Sequence, residues 1–219
     1  MAGSWDTVGP EGLKFFGKVT ASVSHEIKNV LAIINESAGL LDDFILMAAK
    51  GKPFNQELFN ALPGRIRAQV QRADGIMKNI NQFAHSIDEP EMVVEVREVV
   101  ELVLALAQRY ASQKGVALEA VPATGPISLL TRPFFLENLI WCCLDQAIKT
   151  AGKEKKVLIG AQKKGNQIEI TFTGSKEMDY NSLDSFPTER EEALAAVLRA
   201  ELLFDPRAGA VQLILGKGV

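Results

Sequence analysis

The chain has 219 residues, 47% of them hydrophobic and 23% charged, and carries a net charge of −3. That length suits one or two domains of ordinary globular composition, and the mildly acidic balance gives no reason to expect a nucleic-acid partner. The two cysteines, Cys142 and Cys143, are neighbours in an apolar run; they cannot readily bridge to each other and read as small buried fillers in a reducing compartment. There is no signal peptide and no apolar run approaching about 18 residues, so the expectation is a cytoplasmic protein with no membrane partner.

Met1 to Pro10 mixes Gly, Ser, Asp and Pro and predicts a frayed lead-in, with Pro10 suited to the first turn of a helix. A long helix is then predicted from about Glu11 to Ala49, stopped by Gly51-Lys52-Pro53. At about 100° per residue, Val19, Val23, Ile27, Val30, Ile34, Ala38, Leu41 and Ile45 gather along one line. His25 falls on the opposite side, in a polar face with Lys18, Ser22, Asn29, Ala32, Glu36 and Asp43. A histidine so placed is not filling a core.

Imidazole is neutral and nucleophilic near neutral pH, its ordinary pKa being about 6.5. On a rigid helix it can attack a phosphorus atom in line and carry the phosphoryl group on nitrogen. The carboxylate of Glu26, next in sequence, can orient the ring and accept its other proton. The amide of Asn29, one turn on, can hydrogen-bond a phosphoryl oxygen or a water. A zinc-binding helix of the His-Glu-x-x-His type needs a second histidine where Asn29 stands, so that chemistry is excluded.

A second helical segment is predicted from about Gln56 to Ile87, with Leu62, Ile66, Val70, Ala73, Met77, Ile80, Ala84 and Ile87 on one face. Pro63-Gly64 predicts a kink or a short separate helix before it. A lone hairpin cannot bury two such stripes, whereas two hairpins paired as a four-helix bundle can; residues 10–88 therefore read as a homodimerising unit. His85 falls near the apolar seam and reads as a packing or capping residue. Asp88-Glu89-Pro90 marks the boundary between a domain at 1–88 and another at 89–219.

Beyond it the elements shorten. Val93 to Val96 reads as a strand, Arg97 to Lys114 as a helix capped by Gly115, and Val116 to Val121 as a strand ending in a Pro-Ala-Thr-Gly-Pro turn. Thr131 to Thr150 reads as a helix with Thr131 and Pro133 as its opening signals. Val157 to Ala161 and Gln167 to Thr173 form a hairpin around Lys163-Lys164-Gly165-Asn166. Glu189 to Phe204 reads as a helix and Val211 to Leu215 as a strand. Helices alternating with hairpin strands predict an α/β sandwich, so the fold class is α+β, a long antiparallel helical hairpin followed by that sandwich.

His25-Glu26-Ile27-Lys28-Asn29 resembles the phosphoacceptor box of bacterial sensor histidine kinases, in the first helix of a dimerisation and histidine-phosphotransfer hairpin. The order of elements after residue 90 is similar to the ATP-binding domain of those kinases, and Leu136 to Lys149 resembles its asparagine box. Three positions depart from that pattern. Gln146 stands where the family has a metal-ligating asparagine. Thr171-Phe172-Thr173-Gly174-Ser175-Lys176 lacks the aspartate and second glycine of the adenine-reading segment, and too few residues separate Thr173 from Glu189 for a generous nucleotide lid. Thr188-Glu189-Arg190-Glu191-Glu192 opens a helix where a Gly-rich, phosphate-holding turn is expected, and its acids oppose phosphate as they suit the helix dipole.

A kinase hairpin joined to a domain without its nucleotide site is similar to the dimeric histidine phosphotransferases of phosphorelays. The resemblance implies a phosphoryl relay between His25 and the aspartates of response-regulator receiver domains. His25 would be the nucleophile, Glu26 its base and Asn29 an oxygen ligand, with the receiver docking around Lys18, Ser22 and Ala32. It implies no cofactor or metal of the chain's own, Mg²⁺ arriving with the receiver. A divergent kinase core, a response-regulator phosphatase and an inactive pseudokinase or scaffold are the alternatives.

Overall fold

The computed structural model describes residues 2–122, 125–152, 154–174, 186–205 and 209–216, with the backbone alone at 2–6. They form, in order, α1 (Ala2–Ala49), α2 (Gln56–His85), β1 (Met92–Glu95), α3 (Val96–Gln113), β2 (Ala117–Ala120), β3 (Ser128–Thr131), α4 (Pro133–Lys149), β4 (Lys156–Lys164), β5 (Gln167–Thr173), α5 (Glu189–Leu198), β6 (Glu201–Asp205) and β7 (Ala210–Leu215). Two compact units emerge: Met1–Val19 with Phe83–Val219, and Thr20–Gln82.

The first unit is the α/β sandwich. Its main sheet has the order β2-β4-β5-β7-β6, with β2 and β4 parallel and every other pair antiparallel, and a separate two-stranded sheet joins β1 to β3. Ile159, Phe172 and Val211 stand side by side across three strands, as do Ile170 and Leu213, and all five are buried. Their neighbours Gly160, Thr171 and Gln212 occupy the opposite face at partial exposure. This is the alternation of an antiparallel sheet with one face in the core and one toward water. α4 supplies most of the helical side: fourteen of its side chains are buried, from Pro133 to Ile148. Cys142 and Cys143 are among them, and burial pushes the Cys142 thiol up to about 12, so it is a protonated filler rather than a reactive group.

The start of α1 belongs to this unit, and the predicted frayed lead-in at Met1 to Pro10 is corrected here, with Met1 itself outside the described residues. The helix begins at Ala2 and runs through Pro10. Proline inside a helix forfeits a backbone bond, but Val8, Gly12, Phe15 and Val19 form a buried stripe whose packing outweighs that cost. The Phe15 ring lies 5.3 Å from Phe83, edge on, and within 5.8 Å of Phe134 and 5.7 Å of Trp141. Gly12 lets this happen, because a Cβ there would come within 3.1 Å of the Phe134 ring.

The second unit is the helical hairpin. α2 passes through Pro63 without a separate leading helix, contrary to the expectation at Pro63-Gly64. Asn55 Oδ1 accepts the Leu58 amide at 2.9 Å and caps its start. Phe44, Phe54 and Phe59 pack ring against ring at the tip, with centroids 5.5 to 6.1 Å apart. Arg65 reaches Glu36 at 3.2 Å and Arg72 reaches Glu26 at 3.7 Å, which fixes the antiparallel register.

Three further boundaries differ from the sequence reading. The strand β3 lies between the predicted turn and the predicted helix and takes Thr131 from the latter, so Arg132, not Thr131, precedes the helix. The predicted helix from Glu189 to Phe204 ends at Leu198, because Arg199 turns left-handed (φ 53°) and the Ala200 amide closes back on the Ala195 carbonyl. Glu201–Asp205 is therefore a strand paired with β7. Gly115, at φ 68°, ends α3 as expected.

Candidate functional site

The hairpin carries the predicted site. His25 and Asn29 are both exposed on α1 within the second unit, and Ala32 is exposed one turn further; Ser22 is half-buried. Lys18 is exposed too, but it lies in the first unit and lines a cavity there. Thus the helix presents the histidine and the amide to solvent together, while Glu26, one residue round from His25, turns toward α2. There its side chain is only 15% exposed and its Oε2 lies 3.7 Å from Arg72 Nη2.

Arg72 is the residue that reading along the sequence did not find. Nothing in its own segment distinguishes it from Arg65 or Arg67; its meaning comes from the hairpin register, which sets it against the carboxylate beside His25. A guanidinium at that distance attracts the carboxylate and orients it toward α2. An exposed pair of this kind stabilises the fold by no more than about 1 kcal/mol, so any larger effect of removing it is chemical. Replacing Arg72 with alanine is expected to leave the urea midpoint nearly unchanged, and any phosphoryl transfer through His25 should slow roughly ten- to a hundred-fold, the cost of a misplaced reacting group. Lysine should restore part of the rate. Single-turnover transfer kinetics on both variants would check it.

The apolar faces of the hairpin resolve into two seams. Val23, Val30, Ser37 and Phe44, seven residues apart, are buried. A second heptad row remains beside it, Ile27, Leu31, Ile34, Ala38, Leu41 and Ile45, in which Leu31 and Ile45 are each 57% exposed. α2 shows the same, with Leu62 buried and the row Ile66, Val70, Ala73, Met77 and Ile80 left partly open. Spacings of four and three along both rows are those of a coiled-coil seam.

In the sandwich, Gln146 lies on α4 and Thr188 to Glu192 lie at the start of α5. A cavity of about 110 Å³ lies there, lined by Trp141, Asp145, Gln146 and Lys149 of α4, Lys18 of α1 and Arg190 and Glu191 of α5. Several of its charges are paired within the unit. Lys149 Nζ is 2.9 Å from Asp145 Oδ2, Tyr110 donates its hydroxyl to the other oxygen of Asp145, and Arg190 lies 3.4 Å from Glu11 while donating to Asn138 Oδ1 at 2.8 Å. The first turn of α5 is closed by its own chain: Glu191 Oε2 accepts the Thr188 amide at 2.9 Å, one half of a capping box. The segment 171–176 is described only as far as Gly174, and the short stretch between Thr173 and Glu189 lies mostly at 175–185, outside the described residues. Among the described residues no three His, Cys, Asp or Glu side chains stand together as a metal site, and no helix is long and apolar enough to cross a membrane.

Solved histidine kinases are among the structures that the chain resembles. It aligns over 84% of its length with 96% of the histidine kinase AdeS of Acinetobacter baumannii, at 14% identity and a TM-score of 0.47. Over 93% of its length it aligns with 61% of the histidine kinase ThkA, solved in complex with the response regulator TrrA, at 14% identity and 0.45. The catalytic domain of ThkA alone is matched over 98% of that domain and 59% of this chain, at 9% and 0.46. No family model matches the chain, and no curated protein matches it.

Proposed function

We propose that the chain is a histidine-kinase-like protein of two-component signalling that acts as a His–Asp phosphotransferase, receiving a phosphoryl group from one receiver domain and delivering it to another. The observation that carries this reading is the exposed His25 with Asn29 beside it and Glu26 anchored by Arg72. A ring nitrogen of His25 attacks the phosphorus of a receiver's phosphoaspartate in line. The P–O bond to the aspartate breaks, the aspartate leaves as a carboxylate, and the proton on the other ring nitrogen passes to Glu26. Asn29 hydrogen-bonds a phosphoryl oxygen. Mg²⁺ held by the receiver would neutralise the transferring charge. The receiver docks on the face bearing Ser22, Asn29 and Ala32, with Lys18 two turns upstream on the same helix.

One feature supports a phosphoryl donor other than ATP: the amide of the α5 cap is already bonded to Glu191. Mixing the protein with a receiver carrying labelled phosphoaspartate tests the reading directly. Transfer of label to this chain, stable to alkali and labile to acid, is the expected result. Release of label as free phosphate with none on the chain would favour a phosphatase, and autophosphorylation from labelled ATP would favour a divergent kinase core.

The same reading includes a homodimer, with the open rows of α1 and α2 paired across a second hairpin. Leu31→Glu combined with Met77→Glu places charge in both rows, and the expected result is a shift from dimer to monomer in sedimentation equilibrium. A protein that is already monomeric as wild type would refute the pairing.

A further inference from the structure

A buried carboxyl group that neither the hairpin box nor the cavity uses lies beside the aromatic cluster of α1 and α4. Glu137 follows Phe134 by three residues and precedes Trp141 by four, so it shares their face of α4, and it is 2% exposed. Its polar partner is Ser86, just past the end of α2. The Ser86 hydroxyl oxygen is 2.8 Å from Glu137 Oε2 and 2.8 Å from the carbonyl oxygen of Phe83. A serine hydroxyl carries one hydrogen. If that hydrogen points at Glu137, two oxygen lone pairs face each other at 2.8 Å on the Phe83 side. If it points at Phe83, the hydrogen between Ser86 and Glu137 must come from the carboxyl. The second arrangement makes both contacts hydrogen bonds.

Burial acts in the same direction, pushing the Glu137 carboxyl from its ordinary 4.5 up to about 8 against the opposing pull of the Ser86 bond. Several of the charged groups on the elements around α4 are engaged with one another. His85 pairs with Asp88 after α2, Glu11 of α1 with Arg190 of α5, Glu91 before β1 with Arg132, Arg97 with Glu101 on α3, and Asp145 of α4 itself with Lys149.

We propose that Glu137 is a neutral carboxylic acid whose proton bonds Ser86 Oγ while Ser86 bonds the Phe83 carbonyl, a proton-dependent latch joining the end of α2 to the central helix of the sandwich. Removing that proton turns the Ser86 hydrogen toward the carboxylate, takes it from Phe83, and leaves an ion among aromatic rings that only entering water can stabilise. The latch then opens. Because the fold raises the proton affinity of this acid, the folded chain keeps the proton between pH 4.5 and about 8, where the unfolded chain has lost it. The stability contributed is therefore complete below that interval, declines as pH rises through it, and is gone above it.

Glu137→Gln keeps the shape and a donor to Ser86 but cannot ionise. In urea unfolding of the whole chain from pH 5 to 9, the stability of wild type relative to E137Q is expected to fall as pH rises and to level off above about 8. Difference infrared spectra of wild type at pH 7 should show the C=O stretch of a protonated carboxyl that E137Q lacks. Ser86→Ala keeps the acid and removes its acceptor, so that band should move to higher frequency; this variant reads out the latch even if E137Q folds poorly. A stability difference constant from pH 5 to 9, or no protonated-carboxyl band at pH 7, overturns the proposal.

Discussion

His25→Ala is expected to abolish acceptance of phosphoryl groups from a receiver, lowering transfer by on the order of 10³-fold or more, as removal of a nucleophile does. The loss should come without a loss of fold. His25 is exposed on its helix, and substitutions at such positions usually change stability by less than about 0.5 kcal/mol, so circular dichroism and the urea midpoint should match wild type. Neighbouring variants divide the roles. Glu26→Gln keeps the nucleophile and weakens its base, so the rate should fall by less. Asn29→Ala leaves both and should act on the lifetime of the phosphorylated chain as well as on its formation. Labelled transfer persisting in the His25 variant would place the acceptor elsewhere and end the proposed mechanism.

Phe15→Ala is expected to be the most destabilising substitution in the first unit, costing about 3–5 kcal/mol. Phe15 is 0% exposed and touches three aromatic rings, so the change opens a cavity and deletes ring contacts worth about 0.5–1.5 kcal/mol apiece beyond burial. Against a usual stability of about 5–15 kcal/mol, that removes a large fraction of the margin. Leu13→Ala on the same helix is the control: Leu13 is 76% exposed, and its loss should cost about 0.5 kcal/mol or less. Urea unfolding followed by tryptophan fluorescence would compare them. Equal effects would mean that the start of α1 does not pack into the sandwich as described.

The sequence made some of this readable and hid the rest for physical reasons. The face carrying His25 and Asn29 follows from helical periodicity alone, since the apolar side chains of α1 must turn away from water and the polar ones cannot. The two seams of the hairpin were harder, because both are apolar and only packing separates the row at Val23 and Val30 from the row at Leu31 and Ile45. Arg72 was invisible because its partner lies across the hairpin. β6 was masked by Arg199, which adopts a left-handed turn without the glycine that ordinarily announces one. The true start of α1 was masked by Pro10, a local signal outweighed by burial of residues far along the chain. Glu137 carried no sign at all, since an acid in an apolar helix reads as a surface residue until its surroundings are known.

The membership of the start of α1 in the sandwich has a consequence for how the protein folds. Phe15 is separated along the chain from Phe83, Phe134 and Trp141, which complete its cluster, by the whole hairpin. Closing a long loop is thermodynamically mild, each doubling of length adding only about 0.6 kcal/mol, but contacts so far apart in sequence form slowly. The start of α1 is thus expected to be among the last parts of the sandwich to find its place.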